Sequence, residues 1–494
     1  MPQPELHADI LVVGAGNAGL CAALAAAQAG ADVLVLEKAP RLHRGGNTQF
    51  VSRYRFAFPS QDELCRVAGI PADLARRLAL DPYPADRFFT DMMRASRGQA
   101  DPQWTGVLAD ESFSAIEWLV ENGMRFELKM ESAKERDGKL TWDPGRTLYP
   151  VDRGTEILRA LYAAVGRVGV RIAYEAAVVD LLIDDDTGGA EGVLVDTPAG
   201  LEQVYARSVI LACGGFQANP EMRSKYLGPA WDVIKIRGTR FDTGECLTAA
   251  LRHGAAPFGQ YTGCHATMVH AASPRQEMGD EVAFPHGYPY GITVNQHGER
   301  FVDEGKGFYA STYASYGREV LAQPGNIAFQ VFDAVCGPWR DTTGVGRYAV
   351  AHVTAGTLPE LAEAAGIDAR RFVETVAAYN AAIGDGEFDP SRLDGKGTSG
   401  LAIGKSNWAL PIQTPPFTAF PVECGLTFTY GGLATTTDGE VLRLSGRTMP
   451  GLYAVGEVAG SFFYNYLGGT GLMKGSVFGR RAGRHAAETA PSYC

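Results

Sequence analysis

The sequence predicts an α/β protein in which a parallel-sheet domain is interrupted by a second domain of α+β type. Three observations support this fold class. An apolar strand at residues 10–13 runs into a glycine-rich turn, and a similar glycine-ended strand occurs at residues 451–456. The chain of 494 residues is also too long for one compact core. We therefore expect the two ends of the chain to share one domain and the middle to form another.

The first element is a strand, a turn and a helix in the order that a dinucleotide requires. Residues 10–13 are a continuous apolar run, residues 14–19 read Gly-Ala-Gly-Asn-Ala-Gly, and an alanine-rich helix is expected over residues 20–29. The helix N-terminus then faces the phosphate charge. A GxGxxG turn alone is weak evidence, but here the flanking strand and helix are in register with it.

Each glycine of this turn has a separate structural role. Gly14 permits the tight turn, Gly16 lets the backbone approach a pyrophosphate, and Gly19 lets the helix lie close to the sheet. Glu37 ends a second strand over residues 32–36, where its carboxylate would accept hydrogen bonds from a ribose diol. These residues predict a bound dinucleotide.

Two further segments distinguish FAD from NAD. Residues 45–48, Gly-Gly-Asn-Thr, form a turn rich in backbone donors, and residues 451–460, Gly-Leu-Tyr-Ala-Val-Gly-Glu-Val-Ala-Gly, form a distant closing strand. An NAD site does not need the closing strand, whereas FAD has a ribityl chain and an isoalloxazine ring to anchor. The sequence therefore predicts FAD.

Composition excludes several other classes of protein. A net charge of −11 without a basic stripe argues against nucleic acid as the main partner. The eight cysteines include no CxxC pair, so we expect no metal site, and their scatter fits a reducing cytoplasm. No signal peptide and no membrane span are expected, because the first apolar run is broken by glycine and no window reaches about 18 apolar residues.

Several segments together resemble one known family. The GxGxxG turn with Glu37, the turn at 45–48, the strand Ser-Val-Ile-Leu-Ala-Cys-Gly-Gly-Phe at 208–216 and the closing segment at 451–460 resemble the flavoprotein family of fumarate reductase and succinate dehydrogenase. Gly-Glu-Arg-Phe-Val-Asp-Glu at 298–304 is similar to the GxRFxxE segment of that family's inserted capping domain. The resemblance covers essentially the whole chain.

Within the family, the pattern most similar to this chain is that of tricarballylate dehydrogenase. The similarity comes from Gly-Cys-His-Ala at 263–266 and Thr-Tyr-Ala-Ser-Tyr-Gly-Arg at 312–318. The resemblance implies a Rossmann-type, glutathione-reductase-like FAD-binding domain over residues 1–263 and 426–494, with an inserted α+β capping domain over residues 264–425. FAD is then expected at the junction of the two domains.

The resemblance also implies that FAD is bound without a covalent link. Thr48 stands where succinate dehydrogenase has its flavin-linking histidine, and His43 lies out of register. The last helix, expected over residues 472–487, would direct its N-terminus at the pyrimidine end of the flavin. The residues expected to contact FAD are Gly14, Ala15, Gly16, Ala18, Gly19, Glu37, Lys38, Gly45, Gly46, Asn47, Thr48, Val178, Ala212, Cys213, Gly214, Gly456, Glu457, Gly469, Gly471 and Leu472.

The chain departs from the fumarate reductase pattern where charge matters most. An arginine eight or nine residues after the one in GxRFxxE is replaced by Phe308 or Tyr309, and a second arginine by Tyr466. A family histidine falls on Leu426 or Thr427. Clamping a carboxylate in a dry pocket favours bidentate arginine, whereas a tyrosine hydroxyl suits a ketone oxygen.

Related 3-ketosteroid dehydrogenases have tyrosines at these places. Carried over, Tyr309 would exchange the proton, and Tyr466 with the Thr470 amide would polarise a ketone oxygen. A free tyrosine has a pKa of about 10, so a neighbour must assist it. Tyr313, His265 and Lys306 are candidates for that assistance, and the sequence does not choose among them. The tyrosines between residues 288 and 316 are also typical of ordinary packing.

The resemblance thus implies an FAD-dependent oxidoreductase acting on CH–CH bonds, by α,β-desaturation of a ketone or the reverse reduction of an enone. The first alternative is a tricarballylate-like dehydrogenase or fumarate-reductase-like ene reductase, with Arg240, Lys306 or Arg318 replacing the missing arginines. The second alternative is a non-catalytic electron-carrier flavoprotein. The expected partners are a small-molecule substrate and an electron acceptor. The acceptor, the reaction direction and the oligomeric state stay open.

Overall fold

A computed structural model describes residues 7–51, 53–128, 130, 133–142, 148–278, 287–336 and 351–489. The chain divides into two compact units. Unit 1 consists of Met1–Asp232, Gly238–Cys264 and Phe428–Cys494, and unit 2 of Val233–Arg237 and His265–Thr427. The domain boundaries expected from the resemblance, at residues 264 and 425, stay a prediction.

The described residues contain both helices and strands, which often follow one another in runs of one type. The helices within the described residues are α1 (Asn17–Gln28), α2 (Gln61–Ala68), α3 (Ala72–Ala75), α4 (Ala85–Ala95), α5 (Pro102–Glu121), α6 (Gly154–Arg167), α7 (Pro220–Leu227), α8 (Glu245–Arg252), α9 (Tyr309–Leu321), α10 (Leu358–Ala365), α11 (Ala369–Ala381) and α12 (Thr470–Thr489). The strands are β1 (His7–Val13), β2 (Val33–Glu37), β3 (Phe126–Leu128), β4 (Lys134–Arg136), β5 (Lys139–Thr141), β6 (Leu148–Pro150), β7 (Arg171–Tyr174), β8 (Ala177–Ile183), β9 (Ala190–Thr197), β10 (Gly200–Leu211), β11 (Lys235–Ile236), β12 (Pro257–Phe258), β13 (Cys264–His270), β14 (Ile292–Asn295), β15 (Ile327–Phe332), β16 (Val353–Ala355), β17 (Phe417–Thr429), β18 (Gly432–Leu433), β19 (Glu440–Leu442) and β20 (Thr448–Ala454).

Unit 1 is built on a sheet with the strand order β19-β20-β10-β1-β2-β7, onto which β8 and β9 are added through β10. Strands β20, β10, β1, β2 and β7 are parallel. Ile10 and Val12 of β1 pack into the apolar core on one face, while Leu11 and Val13 pack into the core on the other. A continuous apolar strand is therefore buried on both faces, as a parallel sheet requires. The α/β fold class predicted from the sequence is confirmed.

The two ends of the chain meet in this sheet. β10 pairs with β1 on one side and with β20 on the other, and Val209 of β10 is opposite both Leu11 and Leu452. Segments more than four hundred residues apart in the sequence therefore end at the same edge. That edge is the C-terminal edge of the parallel strands, where open α/β sheets bind their ligands.

The last helix packs directly on the first. Cβ atoms on Gly479 and Gly483 of α12 would lie 2.5 Å from the Ala18 oxygen and 2.1 Å from the Ala22 oxygen of α1. The four-residue glycine spacing thus creates the smooth helix face that the sequence predicts. α12 begins at Thr470 and ends at Thr489, slightly longer at both ends than the predicted 472–487.

Unit 2 contains a second sheet, in which β17 pairs with β11, β13, β15 and β16, and β14 extends it beyond β15. Its core includes Val294, Val331 and Phe372. Two helices, α10 and α11, follow each other closely in this unit. Gly366, with φ +73°, ends α10 in the left-handed conformation, and the Asp368 carboxylate accepts the Arg371 N–H at the start of α11, 2.8 Å away.

Candidate functional site

The glycine turn after β1 is folded tightly against the end of β10. Gly14 has φ +103°, and a Cβ atom on it would lie 2.5 Å from the Ala212 oxygen. A Cβ atom on Gly19 would lie 1.9 Å from the Gly14 oxygen, so α1 begins closer to the turn than any other residue would allow. The sequence of the turn therefore fixes the backbone at the ligand-binding edge of the sheet.

The turn at 45–48 lies beside the glycine turn. The Asn17 N–H donates to Thr48 Oγ1 over 2.8 Å. A Cβ atom on Gly16 would lie 3.4 Å from both the Gly45 oxygen and Thr48 Oγ1. On the other side, Asn47 Oδ1 accepts the Thr239 N–H at 2.9 Å. Two segments that were each predicted to contact FAD thus form one backbone-rich surface.

Glu37 and Lys38 follow the second strand of the sheet. The Glu37 carboxylate accepts the N–H groups of Ala15 and Ala39, each at 2.8 Å. Burial raises the pKa of the Glu37 carboxyl, and these backbone hydrogen bonds oppose the rise. Lys38 Nζ forms an ion pair with Glu245 at 2.7 Å. Glu37 therefore connects the end of β2 to the glycine turn, and Lys38 is oriented by a carboxylate from α8.

The closing segment brings Glu457 to the same unit. Gly456 has φ +71°, and a Cβ atom on it would lie 2.7 Å from the Ala18 Cβ atom. Glu457 Oε1 accepts the Thr429 N–H at 2.9 Å and the Thr429 hydroxyl at 3.1 Å. Burial raises the pKa of the Glu457 carboxyl to about 7. A carboxyl with a raised pKa thus lies where the sequence predicts a FAD contact.

Val178 and Cys213 are two predicted contacts with different surroundings. Val178 lies in β8, and its oxygen accepts a weak hydrogen bond from Cys246 Sγ at 3.7 Å. Cys213 directly follows Ala212 at the end of β10 and precedes Gly214, which has φ +76°. The predicted contact of Val178 with the adenine stays a prediction.

Tyr466 is held at the N-terminus of α12 by backbone groups. Its hydroxyl oxygen accepts the Gly469 N–H at 2.9 Å and the Gly471 N–H at 3.2 Å. Phe428 and Phe462 contact its ring edge-on, with centroids 4.9 and 5.4 Å away. The ring is buried, and its hydroxyl oxygen is an acceptor for two backbone N–H groups.

Thr470 differs from the sequence prediction. Its N–H, expected to hold a carbonyl oxygen beside Tyr466, donates to the Leu467 oxygen at 3.1 Å. The reason is local: the chain makes a tight turn at 467–470 as it enters α12, and the turn uses this N–H. The Thr470 hydroxyl is fully buried and has no hydrogen-bond partner among the described residues. Leu472, a predicted FAD contact, has its oxygen bonded to Asn17 Nδ2 at 2.9 Å.

In unit 2, helix α9 packs on strand β13, and both contain residues that the sequence predicts to be catalytic. A Cβ atom on Gly317 of α9 would lie 2.6 Å from both the backbone N and O atoms of Thr267, so helix and strand touch through their backbones. This contact brings the His265 and Tyr313 rings together edge-on, with centroids 4.9 Å apart. Tyr309, the first residue of α9, stacks on Tyr313 at 4.9 Å and is half-buried.

Other tyrosines of this cluster have packing partners. The Tyr288 hydroxyl is bonded to Thr312 Oγ1 at 2.6 Å, and its ring lies 4.8 Å from that of Tyr316. Burial raises the pKa of both phenols. Lys306, one of the residues considered for assisting Tyr309, is exposed. Of the three residues considered for assisting Tyr309, Tyr313 contacts its ring directly. His265 contacts the ring of Tyr313.

Sequence reasoning missed a buried cation of unit 2. Arg240, Lys306 and Arg318, proposed as replacements for the missing arginines, are exposed. Arg237, in contrast, is 8 % exposed and donates from Nη1 to Thr427 Oγ1 at 3.1 Å. No motif indicated Arg237, because only the pairing of β11 with β17 buries it.

Arg237 and His265 lie toward the same end of the unit 2 sheet. The Ala271 N–H donates to the Pro421 oxygen, while a Cβ atom on Gly425 would lie 2.4 Å from Val269 Cγ1. Ala271 of the chain after β13 is thus beside Pro421, and the earlier residue Val269 is beside the later residue Gly425. The two strands therefore run antiparallel. Thr427, the partner of Arg237, continues this direction toward the end of β13 that carries His265.

All residues predicted to contact FAD belong to unit 1, and their arrangement fits this cofactor. Glycine turns suit a diphosphate, Glu37 is an acceptor for ribose hydroxyls, and the Thr470 hydroxyl is a buried polar group for which FAD would be a partner. No group of three or more His, Cys, Asp or Glu side chains in the described ranges could hold a metal ion. None of the described helices has the length and apolar character needed to cross a bilayer.

Comparison with known proteins assigns the family. The FAD binding domain family matches residues 9–53 and 72–472. The chain belongs to this family. It is an FAD-dependent oxidoreductase, and the predicted cofactor is confirmed. The fumarate reductase resemblance is confirmed as well, because a probable fumarate reductase of Shewanella frigidimarina is 28% identical over 491 residues, which cover 99% of this chain and 76% of that one.

Two further proteins similar to this chain are enzymes whose names include a ring ketone. The 4-oxocyclohex-2-ene-1-carboxylate 5-dehydrogenase of Sinomonas cyclohexanicum is 28% identical, over 98% of this chain and 94% of its own. The solved 3-ketosteroid-Δ4-(5α)-dehydrogenase of Rhodococcus jostii is 26% identical with a TM-score of 0.72, over 99% of this chain and 98% of its own. The chain is thus similar over its length to enzymes named for fumarate and to enzymes named for ring ketones.

Proposed function

We propose that this FAD-dependent oxidoreductase forms or reduces a carbon–carbon double bond next to the carbonyl group of a ketone. The observation that carries the proposal is the environment of the Tyr466 hydroxyl. It accepts two backbone N–H groups, from Gly469 and Gly471, while its ring is enclosed by Phe428 and Phe462. A phenol polarised in this way is a strong, neutral hydrogen-bond donor, which suits a carbonyl oxygen better than a carboxylate.

Tyr466 would stabilise the negative charge that develops on the carbonyl oxygen when the neighbouring carbon loses a proton. In a site without water, one such donor contributes about 3 kcal/mol to the transition state. The N-terminus of α12 adds to this effect because it begins only four residues after Tyr466. Bound FAD supplies the hydride chemistry at the next carbon.

Tyr309 is the proposed proton acid and base. It opens α9, and the positive end of the helix dipole favours the phenolate form. Tyr313 stacks on it and is in turn contacted by His265, so the orientation of the Tyr309 ring is restricted. We propose Tyr313 and His265 as positioning residues for Tyr309, and residues 264–425 as a capping domain that supplies them.

The names of relatives support a carbonyl-containing substrate. The 4-oxocyclohex-2-ene-1-carboxylate dehydrogenase and the 3-ketosteroid dehydrogenase are named for ring ketones. We also propose a cytoplasmic location, because the cysteines are scattered along the sequence without CxxC pairs, which fits a reducing compartment. Non-covalent FAD is part of the same proposal, with Thr48 in place of a flavin-linking histidine.

The test is anaerobic bleaching of the bound flavin by a panel of saturated cyclic ketones, succinate and tricarballylate, with re-oxidation by enones and fumarate. We expect ketones and enones to react. Tyr466→Phe is expected to lower the reduction rate by about 100-fold while its flavin content stays normal. Tyr309→Phe should abolish proton exchange at the carbon next to the carbonyl, measured by deuterium incorporation. Reaction with carboxylates alone would overturn the ketone proposal.

The second candidate is a substrate with a carboxylate, and Arg237 favours it. A guanidinium 8 % exposed beside Thr427 could bind a carboxylate in the bidentate manner that the missing arginines would have provided. With such a substrate, Arg237→Gln is expected to raise KM on the order of 100-fold, whereas exposed Arg240→Gln should not. Equal behaviour of the two variants would remove this candidate. A flavoprotein that binds FAD but reacts with no member of the panel would instead be an electron carrier.

A further inference from the structure

A buried carboxyl that sequence reasoning did not single out lies among the predicted FAD contacts. Asp242 is 7 % exposed, and its backbone is fixed by a hydrogen bond from the Ala218 N–H at 2.9 Å. A Cβ atom on Gly214 would lie 2.5 Å from Asp242 Cγ, and one on Gly46 would lie 3.9 Å from Asp242 Oδ1. The Asp242 carboxyl thus sits between two glycine turns that the sequence assigns to FAD.

Gln217 connects Asp242 to a third predicted contact. Its amide Nε2 donates to Asp242 Oδ2 at 2.6 Å and to Glu457 Oε2 at 3.3 Å. The side chain of Gln217 is fully buried, and its Oε1 atom has no hydrogen-bond partner among the residues that the structure describes. A buried acceptor without a partner is costly, so this amide oxygen points to a donor that the protein itself does not supply.

The charges around Asp242 oppose its ionisation. Burial raises the pKa of the Asp242 carboxyl well above its ordinary value, and the carboxylates of Glu457 and Glu37 raise it further, with the Lys38 charge acting against them. Lys38 is already paired with a carboxylate of α8. Two buried acids joined by one neutral amide are most stable when at least one of them keeps its proton.

Glu457 has its own neighbours in this balance. Burial raises the pKa of its carboxyl, while hydrogen bonds from Thr429 and the charge of Lys474 lower it. Lys474 is itself buried, and burial lowers the pKa of its ammonium group to about 7. The Gln217 amide donates to both carboxyl groups. Glu457 has Thr429 and Lys474 in addition, whereas Asp242 has only the charge of Lys38 in addition, so the proton of the pair resides on Asp242.

We infer that Asp242 is a further FAD-binding residue, which binds in its protonated form, and that FAD binding to this protein is therefore linked to a proton. FAD brings a diphosphate with two negative charges and a ribityl chain with hydroxyl groups. A carboxylic acid can donate a hydrogen bond to either, whereas a carboxylate between the two glycine turns would repel the diphosphate. The Gln217 oxygen provides an acceptor for a hydroxyl. The inference rests on the FAD-binding part of the function only.

The experiment measures the dissociation constant of FAD from the purified holoprotein between pH 6 and pH 9 by the fluorescence of released FAD. Wild-type affinity is expected to fall by at least tenfold as the pH rises and Asp242 loses its proton. Asp242→Asn, which keeps the shape and a donor without the charge, should bind FAD equally at both ends of this range. At pH 9 it should bind at least tenfold tighter than the wild type.

Asp180→Asn is the matched control, because Asp180 is a carboxylate of the same unit that is paired with Arg252 and His253 at the surface. It should follow the wild-type pH dependence. A wild-type affinity that does not change with pH, or an Asp242→Asn variant with the wild-type slope, would overturn the inference. The outcome is independent of catalysis, since a protein that binds FAD in this way and oxidises no ketone contradicts only the proposed reaction.

Discussion

The FAD-binding edge of unit 1 and the aromatic cluster of unit 2 are built on opposite principles. At the edge of unit 1, glycine turns at 14–19 and 45–48 present backbone groups, and close contacts at Gly14, Gly19 and Gly45 leave no room for a side chain there. In unit 2, the rings of His265, Tyr313 and Tyr309 contact one another because a helix packs on a strand. A backbone site depends on local sequence, and a side-chain site depends on tertiary packing.

The difference explains where relatives of one family diverge. A diphosphate and a ribose are the same in every FAD, so the residues that contact them are constrained to glycine and one acid. The side chains that face a substrate are free to change with the substrate. Unit 1 accordingly has glycine turns at 14–19 and 45–48, while the arginine positions expected from the fumarate reductase resemblance fall on Phe308 or Tyr309 and on Tyr466.

The largest expected effect comes from adding one methyl group to the backbone site. Gly19→Ala would place a Cβ atom 1.9 Å from the Gly14 oxygen, and neither α1 nor the turn can move, because both are buried. We expect purified Gly19→Ala protein to contain no FAD and to lose more than about 4 kcal/mol of unfolding free energy. Absorbance of bound flavin and urea denaturation measure the two effects.

Gly106→Ala is the control, because Gly106 lies within α5 and a Cβ atom there meets nothing within 4 Å. Alanine in this helix should stabilise the protein by about 0.5–1 kcal/mol. If Gly19→Ala retained its flavin, the edge of unit 1 would not be the rigid backbone site described above.

The backbone site could be predicted from the sequence, and the reason is physical. The strand at 10–13, the turn at 14–19 and the closing strand at 451–456 are each local patterns, and their order requires that they share a sheet. The alternation that sends Ile10 to one face and Leu11 to the other follows from a strand buried on both sides. Helix ends were predicted less well, because α12 begins at Thr470 and ends at Thr489, whereas the expected helix covers residues 472–487.

Residues that function through tertiary contacts could not be predicted. Arg237 is buried because β11 pairs with the far end of β17. Asp242 lies between Gly46 and Gly214, which are 168 residues apart in the chain. The Thr470 N–H was expected to be available, but the turn that precedes α12 uses it. The chemistry of a side chain depends on which hydrogen-bonding groups around it are already paired in the fold. No single segment of the sequence shows this pairing.

The second prediction concerns a buried ion pair of unit 2. Arg300 and Glu304 are joined at 2.5 Å, with 5% and 0% of their side chains exposed. Glu304 also accepts the Thr293 N–H at 2.6 Å. Glu304→Gln would leave the Arg300 charge buried without its carboxylate, so we expect a loss of about 3–5 kcal/mol in unfolding free energy.

The matched variant is Glu299→Gln, whose carboxylate pairs with Arg371 at the surface, with 47% and 53% of the side chains exposed. It should change the unfolding free energy by less than about 0.5 kcal/mol. FAD content should remain normal in both variants if the cofactor depends on unit 1 alone. Loss of flavin from Glu304→Gln would break the separation of tasks between the two units.

The third prediction adds a methyl group to the side-chain site. Gly317→Ala would place a Cβ atom 2.6 Å from the backbone of Thr267 and push α9 away from β13. The expected cost is about 1–3 kcal/mol, because α9 can shift partly. The contact between the His265 and Tyr313 rings would be lost, so turnover should fall while FAD content stays normal. Flavin content and substrate-dependent bleaching in the same sample measure both, and a variant with normal turnover would show that the cluster does not position Tyr309.

The smallest expected effect tests an ion pair of unit 1 by pH. Burial alone would raise the pKa of the Glu156 carboxyl, but hydrogen bonds from Arg159 and Arg125 outweigh it and lower the pKa to about 2. The ordinary value is about 4.3, so the stabilisation is complete above that pH and is lost as the pH falls toward 2. The two arginines are half exposed, which limits the contribution to about 1–2 kcal/mol.

Glu156→Gln should therefore be less stable than the wild type at pH 6, and the difference should shrink as the pH falls to 3, as measured by urea denaturation. Glu63→Gln, which removes a surface carboxylate paired with Arg66, should give almost no difference at either pH. A gap for Glu156→Gln that stays constant with pH would assign its effect to lost packing and not to charge. The contribution of Glu156 to stability would then depend on packing, as that of the glycine contacts in the same unit does. It would differ more clearly from the charge-dependent contribution of the buried ion pair in unit 2.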